Sequence, residues 1–163
     1  MPDDFATAAH ALVVQTRADV LALRGRSLGP SPWFRIEQDR VDQFARTAED
    51  WHWIHNEPER ATGGPFRGPI GHAHLSLALL PHLLRQTLTM AGGGCMFYGY
   101  DRARFPRPVP VGSAVRMVGQ VVTADALAGS EQLTINLRLE VDDVDERPAC
   151  VANAIWRVYR IPS

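Results

Sequence analysis

AHLSLALLPHLLRQTL, residues 73–88, is the stretch on which the fold turns. Drawn as a helix it is apolar on nearly every side, so it belongs inside something rather than on a surface. Pro81 is expected to act as an internal break. The segment does not read as a membrane span. Its apolar run, 75–84, is far shorter than the roughly 20 residues a bilayer needs, and Pro81 and His82 interrupt it.

What encloses that helix is written downstream. MFYGYDRARF (96–105), SAVRMVGQVVTA (113–124), EQLTINLRLEV (131–141) and ACVANAIWRVYR (149–160) are strand-like runs divided by turn signals. The third alternates Leu133, Ile135, Leu137, Leu139 and Val141 with Thr134, Asn136, Arg138 and Glu140, the pattern of a sheet with one buried face. Long strands following a buried helix predict an α+β domain in which an antiparallel sheet wraps around the helix.

Upstream, residues 6–24 are rich in Ala and Leu and stop at Gly25, which predicts an N-terminal helix. GPSP (29–32) turns the chain into a short strand, WFRI (33–36). A second helix is predicted over 38–48, with Val41, Phe44, Ala45 and Ala48 on one stripe. The reading is one domain over 1–163, with 1–30 as a helical extension and no internal repeat.

Composition narrows the function. A chain of 163 residues can bury a real core. A net charge of -1 and a pI near 6.6 argue against nucleic acid as a partner. All 17 basic residues are arginine, which removes lysine Schiff-base chemistry. The start, MPDDFATAAHALVV, lacks the basic and small-residue features of a secretory signal and reads as mature sequence. Cys95 and Cys150 lie in strand-like runs without metal-ligand spacing, and read as buried small hydrophobes in a reducing cytoplasm.

The chemistry concentrates just before the apolar helix. Residues 50–75, DWHWIHNEPERATGGPFRGPIGHAHL, hold four histidines and two tryptophans. On one regular helix Asp50 and His55 would stand about 140° apart, so they converge only if the helix breaks between them. Pro58 favours such a break, because it biases Glu57 away from helix and suits a first helical turn. The alternative is a surface aspartate and a solvated or core histidine. His52-x-x-His55 and His72-x-His74 invite a metal reading, but neither HExxH nor CxxC is present and no metal is expected. Trp51 and Trp53 either line a pocket or anchor the loop to the core. GPIGHAHL (68–75) sets small residues at the presumed start of the buried helix, where free amides and the helix dipole suit developing negative charge on oxygen. Gly71 and Ala73 either let a ligand approach that backbone or serve tight packing.

The run QFARTAEDWHWIHNEPERATGGPFRGPIGHAHLSLALLP resembles the signature of MaoC-like (R)-specific enoyl-CoA hydratases, particularly their NodN-like branch. YGYDRARFPRPVPVGS (98–113) and the closing PACVANAIWRVY are similar to that branch's later blocks, so the resemblance runs from about Trp33 to Tyr159. It implies a hot-dog fold, an antiparallel sheet around a long central helix, and homodimers joined edge to edge. It implies Asp50 and His55 as the catalytic pair and the Ala73 N–H as the donor facing the thioester oxygen. Ala73 stands where the family more often has glycine. His74 stands where a bulky apolar residue is usual, and His52 where other branches carry asparagine or glutamine. Trp53, Phe66, Gly71, His72 and His74 are the implied substrate-contacting positions.

The expected activity is (R)-specific hydration of a trans-2-enoyl-CoA, or the reverse dehydration of a 3-hydroxyacyl thioester, in the cytoplasm and without metal or redox cofactor. The carrier is CoA or an acyl carrier protein. Two rivals remain at this point: a hot-dog acyl thioesterase, and a non-catalytic hot-dog domain that binds acyl thioesters.

Overall fold

The computed structural model describes residues 11–159 of the chain. In order the elements are β1 (Leu12–Val14), α1 (Arg17–Leu21), β2 (Ser27–Leu28), β3 (Phe34–Arg35), α2 (Gln38–Ala48), α3 (Trp53–Asn56), α4 (Pro58–Thr62), α5 (Ala73–Arg85), β4 (Leu88–Met90), β5 (Gly94–Arg104), β6 (Ala114–Leu127), β7 (Ser130–Val141) and β8 (Cys150–Tyr159). The main sheet is antiparallel in the order β2-β6-β7-β8-β5, with β3 also paired to β6. β1 and β4 form a separate parallel pair.

β7 follows its sequence pattern: Leu133, Ile135, Leu137, Leu139 and Val141 are buried, while Asn136 and Arg138 are exposed. Its buried face meets the α5 stripe of Leu75, Leu79, Leu80, Leu83 and Leu84 in one core. Two register shifts in β5 and one in β6 insert extra residues into those strands. Such bulges bend a strand and increase its twist. The sheet curls around α5, and the architecture is the α+β hot-dog expected.

Three expectations need correction. Residues 6–10, including His10, lie outside the described residues; within the rest of 6–24, Leu12–Val14 pair with β4 and only Arg17–Leu21 are helical. Thr16 caps that helix by accepting from the Asp19 N–H, so it starts late. Pro81 does not interrupt α5. A proline has no N–H to give the carbonyl four residues back, and the Leu77 carbonyl instead accepts the Tyr100 hydroxyl at 3.3 Å. Cys150 is buried, but Cys95 is exposed, because it sits on the edge strand β5. No helix among the described residues is long and apolar enough to cross a membrane.

Candidate active site

The segment after α2 is shaped by local bonds. Glu49 takes a left-handed conformation (φ 55°) and its N–H returns to the Ala45 carbonyl, ending the helix. The Asp50 N–H reaches the same carbonyl at 3.1 Å. The chain then restarts as α3, with His52 as its N-cap. His55 therefore belongs to a new helix that does not contain Asp50, and the angular conflict of a continuous helix disappears. α3 is tied back to α2: Gln38 donates to the His55 carbonyl at 2.7 Å, and Asn56 donates to Asp42 at 2.7 Å. Pro58 opens α4 in the first-turn position.

Asp50, His55, Gly71, His72, Ala73 and His74 line a common, half-open cavity of about 270 Å³ at the start of α5, with Phe105, Arg107 and Val109 also in its wall. His55 Nδ1 lies 2.7 Å from the Ile70 carbonyl. A carbonyl only accepts, so Nδ1 carries the proton and Nε2 is the basic nitrogen. Burial is the main influence on His55 and lowers its pKa below the ordinary 6.5; the Ile70 bond raises it, His72 lowers it and Asp50 raises it. Asp50 is exposed, and its carboxylate has no hydrogen-bond partner among the described residues.

Ala73 is the first residue of α5, a helix of 13 residues. Its amide belongs to the first turn, where no intrahelical acceptor exists and the dipole is positive. A Cβ placed on Gly71 would come no closer than 3.6 Å to Ile36, so packing does not demand a glycine there. His74 is exposed with its ring 6.4 Å from Phe105. His72 is only 1% exposed and lies in the cavity wall, addressing the protein rather than the open space.

Two expected positions are not brought to the cavity. Trp53 sits under the Arg60 guanidinium at 4.9 Å, and a Cβ on Gly64 would stand 2.8 Å from its ring. It anchors the loop. Phe66 is 45% exposed and lies outside the cavity lining. The histidines do not converge as ligands either: His55 and His72 stack with centroids 3.8 Å apart, and no group of three potential ligands is assembled among the described residues.

Other residues of the site went unnamed in the sequence. Arg107 is nearly buried and chelates Asp143 at 2.7 and 3.0 Å while its Nε donates to the Arg147 carbonyl, fixing the β7–β8 connection to the cavity wall. Phe105 and Arg107 lie within the 98–113 block, which was the available signal. Gln38 and Asp42 gave none, since a polar residue on a surface helix is unremarkable until its partner is known.

The chain has counterparts among known proteins. The family model described as MaoC like domain matches residues 19–142. The 3-hydroxyacyl-thioester dehydratase Z of Mycobacterium tuberculosis (strain ATCC 25618 / H37Rv) is 43% identical over 142 residues, covering 86% of this chain and 93% of the relative. Nodulation protein N of Rhizobium leguminosarum bv. viciae is 37% identical over 157 residues, covering 90% and 92%. Among solved structures, the (R)-hydratase from A. caviae involved in PHA biosynthesis superposes with a TM-score of 0.67 at 26% identity, covering 82% of this chain and 94% of that one. With residues 50–75, the start of α5 and every strand of the main sheet but β8 inside the 19–142 match, the chain belongs to the MaoC-like domain family.

Proposed function

We propose that the protein is a hydratase or dehydratase of acyl thioesters, adding water to a trans-2-enoyl thioester or removing it from the (R)-3-hydroxyacyl product. The observation that carries this reading is the His55 Nδ1–H bond to Ile70, which leaves Nε2 as the basic nitrogen of a ring lining the cavity shared with Asp50 and the start of α5. In hydration, the Asp50 carboxylate and His55 Nε2 hold a water over C3 and accept its proton as the C3–O bond forms. The C2=C3 electron pair moves toward the thioester oxygen, where the Ala73 N–H steadies the enolate charge. Collapse of the enolate takes the proton at C2, so the sum is one water added and nothing oxidised or reduced.

The name of the 3-hydroxyacyl-thioester dehydratase supports a thioester substrate; acyl-CoA or acyl carrier protein as the carrier and a cytoplasmic homodimer are part of the reading. His74 and Phe105 stand at the cavity where substituents on the acyl group would pass. The test is hydration of trans-2-enoyl-CoAs of graded length in deuterated water. The product is then coupled to (R)- or (S)-specific 3-hydroxyacyl dehydrogenases, and the C2 deuterium is placed by NMR. With both proton-carrying groups on one side of the enoyl plane, the expected result is syn addition and an (R) product. Thiol release with a free 2-enoic acid and no 3-hydroxyacyl product would instead identify a thioesterase. Saturable binding without turnover would identify a binding domain.

A further inference from the structure

We propose that His72 is a positioning residue of this site, whose one side chain holds the Asp50 main chain to the start of α5 and braces the His55 ring. The inference rests on the assignment of Asp50 and His55 above and adds what keeps them in place.

Three contacts carry it. His72 Nε2 lies 3.0 Å from the Asp50 carbonyl oxygen. Since that oxygen can only accept, Nε2 bears the proton and donates. The Asp50 N–H is already committed to the Ala45 carbonyl at 3.1 Å. Both main-chain polar groups of Asp50 are thus held, one at the end of α2 and the other at the N-cap of α5, and only the second anchor is a side chain. The same imidazole stacks on His55 with centroids 3.8 Å apart and planes 28° from parallel, and it also touches Phe44 at 5.0 Å. Finally, the next peptide N–H along the chain is that of Ala73. The carboxylate residue, the base and the amide donor are therefore fixed relative to one another through a single residue.

A space-filling role does not account for a histidine here. The ring is 1% exposed, and its Nδ1 is buried with no hydrogen-bond partner. An apolar residue of similar shape would fill the space without stranding a polar atom. The stranded nitrogen is the cost of having a flat ring with a donor at the Nε2 corner.

The test compares His72→Phe, which keeps a ring but loses the donor, with His72→Gln, whose amide nitrogen can reach the Asp50 carbonyl. Asp50→Asn and His55→Gln are measured beside them on the same enoyl-CoA. His72→Phe is expected to lose about 10- to 100-fold in kcat with KM within about threefold, as misplacement of catalytic groups does. His72→Gln is expected to recover at least about half of that loss on a logarithmic axis. Native kcat in His72→Phe, or a His72→Gln no better than it, overturns the inference. So does a fall in Tm with unchanged kcat per folded enzyme. If Asp50→Asn and His55→Gln are themselves close to native, the site assignment fails and the inference with it. If they are inactive while both His72 variants are normal, the inference alone fails. Should His72→Phe not fold, ¹⁵N-histidine NMR of the native protein decides. His72 should carry a proton on Nε2, the nitrogen that faces the Asp50 carbonyl, and a neutral ring with its proton on Nδ1 overturns the proposal.

Discussion

His55 is suited to take a proton because its surroundings keep it neutral. Burial lowers its pKa below the ordinary 6.5, and the Asp50 charge, which raises it, does not cancel that effect. The base form therefore persists below pH 6.5, and the acidic limb of kcat/KM for hydration is expected below that value. A limb above it would show that another group is the base. Asp50→Asn and His55→Gln should each lose about 10² to 10⁴ in kcat, the range for general acid–base groups. If the two serve one water as proposed, the double variant should be little worse than the worse single one. Losses under tenfold in both, with normal circular dichroism, would remove the assignment. The resemblance implied the pair, while the loop-forming stretch and Pro58 only allowed the two residues to converge across a spacing that one helix cannot serve. The place of Trp53 was not legible, since a tryptophan in a turn-rich stretch reads equally as a pocket wall or an anchor until Gly64 is seen against its ring.

Elements whose pattern is long were recovered almost to the residue. The 38–48 stripe became α2, and the four strand-like runs became β5 to β8. Of the shorter ones, the strand within 33–36 and the helix opened by Pro58 were legible and others were not. α3 has four residues, too few to show a period, and is stabilised by Gln38, Asp42 and Asn56 contacts that lie far apart in sequence. β1 exists through a parallel partner more than seventy residues away, which local propensity does not encode. α5 shows the same limit at Pro81, where Tyr100 of β5 supplies the donor that proline lacks. Burial pushes the Tyr100 pKa up to about 12, so the hydroxyl remains a donor throughout the working pH range. Tyr100→Phe would leave the Leu77 carbonyl without this bond and should cost about 1–3 kcal/mol of stability. In a Pro81→Ala background the restored amide can serve that carbonyl, and the cost should shrink. Denaturant titration of the four-member cycle checks the coupling. Additive effects would mean that Tyr100 does not substitute for the missing helical bond.

The whole molecule leaves one side of its sheet open. β5 is paired with β8 along one edge and with no described strand along the other. It is 11 residues long and exposes Met96 at 50% and Tyr98 at 59%. A long edge of this kind, bearing large apolar side chains, is a template for further pairing unless something covers it. A second apolar surface accompanies it, since Ala78 is exposed and Leu77 and Pro81 are only half-buried on α5. A copy of the same chain related by a two-fold axis would cover the edge on both protomers at once, because such an interface is self-complementary. Sedimentation at micromolar concentration should therefore give about twice the chain mass of 18.0 kDa. Met96→Glu combined with Tyr98→Glu brings like charges toward their own images across the axis and should weaken the dimer at least about tenfold, an effect that salt partly reverses. A native protein that sediments as an 18.0 kDa monomer, or a double variant that dimerises as tightly as the native chain, would show that β5 is not the joining edge.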